Sequence, residues 1–214
     1  EVPTKISLGK TLYLKITMGN SKNEMGNCPF APPPWLRHCI HIIVVHGAPR
    51  FANYYQDHMV LQRTSQRAVV WGYSDTSNTP ITLTMNNKDY QTMSAPSLNT
   101  NEASIWSVTL DAQPEEGPFD VKVTQSLPNG TLITIVLHDV LFGDVWICSG
   151  QSNMQFSVNG MFNASIEIAN TNKYPKVRLF ALVNRVAYTP LEEPITIGMG
   201  WSVASNITVA SGYT

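Results

Sequence analysis

Between Arg50 and Asp139, apolar and polar side chains alternate with a period of two, in short bursts set off by turn residues. Ala68–Tyr73 is apolar, and Ile81, Leu83 and Met85 alternate with Thr82 and Thr84 ahead of the turn residues Asn86-Asn87. Trp106, Val108 and Leu110 alternate with Ser107 and Thr109, and Phe119, Val121 and Val123 with Asp120, Lys122 and Thr124. Pro128-Asn129-Gly130 signals a hairpin before Leu132–His138. Successive strand side chains point to opposite faces. This pattern therefore predicts an antiparallel β-sandwich over residues 50–141, each sheet with one buried and one wet face.

The pattern changes after Leu141-Phe142-Gly143-Asp144, which reads as a hinge. Val145-Trp-Ile-Cys148 has the length and composition of a buried strand, and Ser149-Gly150-Gln151 makes a tight turn. Met154, Val158, Phe162, Ile166 and Ala169 then recur at helical steps, predicting a helix from Ser152 to about Thr171. Lys176–Leu182 is a second strand candidate. Strand, helix and strand in this order predict a βαβ unit with parallel strands and a right-handed crossover. The expected fold class is therefore mixed β and α/β. Residues 1–49 carry no clear fold signal: loose alternation over Val2–Thr17, a loop-like stretch ending in Pro32-Pro33-Pro34, and a short apolar run at Cys39–His46.

In this reading Ser152 lies just past a glycine turn, at the carboxyl edge of a sheet, facing the free N–H groups of a helix start. Such groups can steady a developing oxyanion. On spacing alone a plain helix N-cap is the commoner reading. The Gly-x-Ser-x-Gly elbow is not formed, because Met154 stands where the second Gly would be.

The string Gly143-Asp-Val-Trp-Ile-Cys-Ser-Gly-Gln-Ser-Asn-Met-Gln155 resembles the nucleophile block of the sialate O-acetylesterase family of SGNH/GDSL hydrolases. Tyr54–Gln62, Ala68–Gly72, Gly117–Asp120 and Leu137–Leu141 are similar to further blocks of that family. The resemblance runs from about Arg50 to the end and leaves 1–49 as an atypical N-terminal segment. It implies that 142–214 begins a three-layer α/β/α catalytic domain and leaves it incomplete. It also implies that Ser152 is the nucleophile and gives its own N–H to the oxyanion hole. The implied substrate is an O-acetylated sialic acid or sialoglycan, with no cofactor and no metal, in a lysosomal or secreted setting.

A serine hydroxyl needs a base to take its proton. The resembling family keeps that base in an Asp-x-x-His block near its C-terminus, yet no histidine follows His138 here. The expectation is a truncated form, inactive alone. His58 and His138 are poor substitutes. Asp57 and His58 are neighbours that would point apart on a strand, and His138 ends a β-domain strand. Gln151 and Asn153 fit either hydrogen bonds to substrate hydroxyls or helix capping. Trp146 and Cys148 read as core of the strand, and Asp144 as lying at the end opposite Ser152. Two other readings remain: another carbohydrate acetylesterase of the same fold, and a non-catalytic glycan- or partner-binding fragment.

Composition adds limits. Hydrophobic residues make up 43% and charged residues 14% of the 214, which suits a packed chain. A net charge of −1 points to no nucleic-acid partner. No apolar run nears the roughly 20 residues of a membrane span. No signal peptide is visible, and the start at Glu1 reads as internal or processed. Sequons at Asn129, Asn163 and Asn206 suit a glycosylated protein. Cys28 and Cys39 are open to pairing in an oxidising compartment. Cys28, His38, Cys39, His41 and His46 fit no standard zinc spacing.

Overall fold

A computed structural model describes residues 48–97, 104–114, 116–150 and 152–210. The readings at Cys28, Cys39 and the N-terminal histidines, and that at Gln151, lie outside the described residues.

The period-two segments form strands. One sheet joins β1 (Arg50–Phe51), β3 (Val69–Ser74), β7 (Ser104–Thr109) and β6 (Ala95–Pro96) in the order β1-β3-β7-β6. The other joins β2 (Val60–Gln62), β9 (Leu132–Gly143), β8 (Phe119–Ser126), β4 (Pro80–Met85) and β5 (Lys88–Met93) in the order β2-β9-β8-β4-β5. Their inward faces share one hydrophobic core: Val70, Trp106 and Val108 from the first, Ile81, Leu83, Met85, Val121, Val123, Val140 and Phe142 from the second. Trp71 and Tyr73 lie on the opposite face of β3 and are buried there too, Trp71 beside Tyr54, so this strand has no wet face. Asn86 and Asn87 take the left-handed conformation that closes the β4–β5 hairpin, which asparagine tolerates better than most residues. Gly72 is needed for close approach: a Cβ there would stand 2.0 Å from the Arg50 carbonyl oxygen and against the Trp106 ring.

Two features depart from an all-antiparallel sandwich. The strand β2 runs parallel to β9, pairing Val60 with Leu141 and Gln62 with Gly143, so this sheet is mixed. Leu141–Gly143, expected as a hinge, is the end of twelve-residue β9, with Leu141 and Phe142 buried. A second partner strand and a core beneath them make these residues sheet.

Beyond Gly143 the expected βαβ unit is not formed. Residues 144–149 make no strand, and Trp146 is 84% exposed, not core. Cys148 is likewise exposed, not a buried thiol. A four-residue apolar run becomes a central strand only when neighbours pair its backbone and cover both faces, and no described strand does so. The single helix expected over 152–171 is broken into 3₁₀ turns at Ser152–Gln155, Val158–Gly160 and Thr171–Lys173 around one short helix, α1 (Ala164–Asn170). Asn159-Gly160 and left-handed Asn163 (φ 59°) interrupt it. The half-buried positions of α1 are Ala164, Ile168 and Asn170, whereas Phe162 is 90% exposed and Ile166 also faces out. Finally β10 (Arg178–Leu182) pairs antiparallel with β11 (Ile197–Val203), not parallel to a strand at 144–149. Pro190 and Pro194 lie in the connection that turns the chain back. A short helix, α2 (Asn206–Ala210), follows.

Candidate active site

Ser152 is reached through an anchored strand end. β9 carries the chain to Gly143, and Asp144 is gripped by Arg63 through Nε at 3.1 Å and Nη2 at 2.9 Å. This two-point pairing is the geometry a guanidinium favours. Asp144 therefore acts as an anchor. From there to Gly150 the chain is irregular and exposed. Ser152 opens the four-residue 3₁₀ turn, and Asn153, next to it, is exposed. One such turn aligns few peptide dipoles, so its N–H end is a weaker anion seat than the long helix expected there.

The three sequon asparagines are exposed. Asn129 sits in a turn where its Oδ1 accepts the Thr131 N–H at 2.9 Å. Asn163 is the residue before α1. Asn206 begins α2, and the hydroxyl of its sequon partner Thr208 donates to the Val203 carbonyl at 3.0 Å.

The histidines pair differently from the sequence reading. His58 and Asp57 lie in a turn, not on a strand, with His58 at φ 67°. His58 Nδ1 lies 2.7 Å from Oδ2 of Asp139, which is also left-handed at φ 54°. Arg178 Nη2 donates to the same Oδ2 at 3.0 Å. The backbone zips the turn to β9: His58 N–H donates to the His138 carbonyl at 3.0 Å, and His138 N–H to Asp57 Oδ1 at 2.7 Å. A register shift between β8 and β9 falls here and turns Asp139 toward His58 and Arg178. His138 Nδ1 meets Asp120 Oδ1 at 3.1 Å, with both side chains well exposed. The sequence signal for this cluster was two Asp–His neighbours, Asp57-His58 and His138-Asp139. The pairings cross between them, which no local pattern reveals.

The C-terminal hairpin is tied to the loop after β1. Glu193 accepts from Arg50 Nη1 at 3.1 Å and from the Asn53 N–H at 2.6 Å. Trp201 stacks on Phe180 at 5.1 Å and donates from Nε1 to the Tyr54 carbonyl at 3.0 Å. Burial raises the Tyr54 phenol above its ordinary value. Glu116 sits beside Lys176, whose ammonium hydrogen-bonds it and lowers its carboxyl below the usual range. An apolar hollow of about 270 Å³ lies by α1, lined by Val158, Met161, Tyr174, Val177, Leu179 and Val209. Among the described residues no group of three metal-ligating side chains converges, and no helix is long and apolar enough to cross a membrane.

No family model matches the chain. It is 37% identical over 164 residues to the sialate O-acetylesterase of Homo sapiens, and equally to that of Pongo abelii, covering 77% of this chain and 31% of each relative. The Mus musculus protein of the same name is 39% identical over 154 residues, covering 72% of this chain and 28% of its own length. The match thus spans less than a third of each of these relatives. By its sequence, this is a sialate O-acetylesterase-like chain.

Proposed function

We propose that this chain carries the nucleophile of a carboxylic ester hydrolase that removes O-acetyl groups from sialic acids or sialoglycans. The observation that carries the reading is its 37–39% identity to proteins named sialate O-acetylesterase. Ser152 attacks the acetyl carbonyl, its own N–H helps hold the oxyanion, and the sugar hydroxyl leaves. Water then releases acetate from the acyl-enzyme. Gln151 and Asn153 flank the nucleophile and hydrogen-bond the sugar hydroxyls. Neither a metal nor an organic cofactor takes part.

The base for Ser152 comes from polypeptide beyond these residues, so the serine does not turn over in this chain alone. Residues 142–214 are the opening of a three-layer SGNH-type domain whose remaining strands would cover Val145–Cys148. Support comes from the exposed apolar side chains that follow Gly143. Exposed sequons at Asn129, Asn163 and Asn206 fit a lysosomal or secreted glycoprotein.

The test compares hydrolysis of p-nitrophenyl acetate by this chain and by Ser152→Ala. Equal rates are expected. A Ser152-dependent rate would mean that a base lies within the chain and would overturn the incompleteness argument. Fusing the unmatched part of the human relative to this chain is expected to restore Ser152-dependent release of acetate from O-acetylated sialic acid. If the fusion folds and stays inactive, a non-catalytic binding role replaces the esterase reading.

A further inference from the structure

We propose that His58 and Asp139 form a general-base dyad that activates water toward small carboxylic esters, independently of the Ser152 hydroxyl. The carboxylate at 2.7 Å from Nδ1 holds the imidazole with its proton on that nitrogen. Nε2 is left as the basic atom, and it has no protein partner among the described residues. His58 is 47% exposed on its side chain, so water and a small ester reach it. Asp139 does not wander, because the Arg178 guanidinium, only 5% exposed, grips the same oxygen. Among the described residues Arg178 Nε has no hydrogen-bond partner and Asp139 is the guanidinium's only carboxylate. Both dyad residues are held at positive φ, a conformation that costs a non-glycine residue about 1–2 kcal/mol. Such strain persists where the surroundings over-determine it and gathers at functional sites.

The charged and titratable groups around the dyad are Asp57 and His138 on the zipped backbone, Asp120 on β8, and Arg178 on β10. His138 and Asp120 make a second pair at 3.1 Å, but their side chains are 61% and 64% exposed and no third group holds Asp120 among the described residues. It is a built-in control: the same chemistry without the anchoring.

In the step itself, Nε2 takes a proton from water as the water oxygen bonds to the ester carbonyl carbon. The tetrahedral adduct collapses, the C–O bond to the alcohol breaks, and the imidazolium returns the proton to the leaving oxygen. Acid and alcohol are the products, and Asp139 keeps the imidazole oriented through its Nδ1 hydrogen bond.

The experiment measures p-nitrophenyl acetate hydrolysis by the full chain carrying Ser152→Ala, which separates it from the reading above. The Ser152→Ala chain should exceed buffer, and adding His58→Gln should lower its excess rate about tenfold. Adding His138→Gln should change it less than twofold. A normal solvent isotope effect is expected, because a proton moves in the slow step. Equal rates with and without His58→Gln would overturn the dyad and leave the cluster a structural staple. An absent isotope effect would overturn the general-base role in favour of direct attack by the imidazole. Asp139→Asn in a variant whose circular dichroism is native should also lower the rate; an unchanged rate would overturn the orienting role of the carboxylate.

Discussion

The stretch from Arg50 to Gly143 and the stretch from Asp144 to Ala210 belong to one chain but bury their apolar residues very differently. Among the described residues, every fully buried apolar side chain except Ala204 lies at or before Phe142. Every large exposed apolar side chain except Met93 and Leu132 lies after Gly143. Hydrophobic content does not explain this, because Val145-Trp-Ile-Cys148 is as apolar as β3. The difference is where partners come from. Strands β4 and β5 pair across a two-residue turn, and β8 and β9 across a short loop, so the first region supplies its own neighbours. A parallel strand needs neighbours far away in sequence. An apolar run without them stays on the surface.

The sharpest way to break this comparison is to truncate one tryptophan in each region. Trp106 is 1% exposed and its Nε1 donates to the Tyr73 carbonyl, so Trp106→Ala should cost about 3–5 kcal/mol in urea unfolding. Trp146→Ala should move the same transition by less than about 0.5 kcal/mol. A large loss from Trp146→Ala would mean that the second region has a core after all.

Next in size is the link between the regions. Arg178 is buried and Asp139 part-buried, so Arg178→Ala leaves an ion network broken and should cost about 2–3 kcal/mol, less than for a fully buried pair. Thermal unfolding followed at Trp201 and at Trp106 would show whether the hairpin loosens first, as the comparison expects.

Alkaline pH should act on the first region. Burial drives the Tyr55 phenol far above its ordinary value, followed by repulsion from Tyr54. A raised folded value means the stabilisation is fully present below the unfolded value of about 10 and is lost as pH rises beyond it. The urea midpoint should fall above that pH, and Tyr55→Phe should blunt the fall. An undiminished fall in Tyr55→Phe would assign it to other groups.

The smallest effect concerns the surface. Ile147→Lys should leave the unfolding midpoint unchanged, within about 0.5 kcal/mol, while lowering the binding of an apolar dye and slowing aggregation. Undiminished dye binding would place the exposed apolar surface elsewhere.

Legibility followed the same division. Period-two alternation at Ile81–Met85, Trp106–Leu110 and Phe119–Thr124 pointed to strands, because each face of a strand reports its own environment. It did not reveal that β2 runs parallel to β9, or that β9 continues through Leu141–Gly143, since pairing direction and partner carry no local mark. At the candidate site, the string around Ser152 was legible by its residues alone. The expected strand before it and long helix after it were not formed, because their helical and strand patterns presume a cover. His58, Asp139 and Arg178 come from a turn, a bulged strand and a distant hairpin.

The sequence by itself determined the alternating strands, the turn positions and the similarity to sialate O-acetylesterases, since these depend on residue types a few positions apart. The tertiary structure decided which carboxylate meets which histidine, that Trp146 and Cys148 face outward, and that β10 folds back on β11. Those outcomes depend on what else reaches each surface, and burial is a property of the neighbours as much as of the residue.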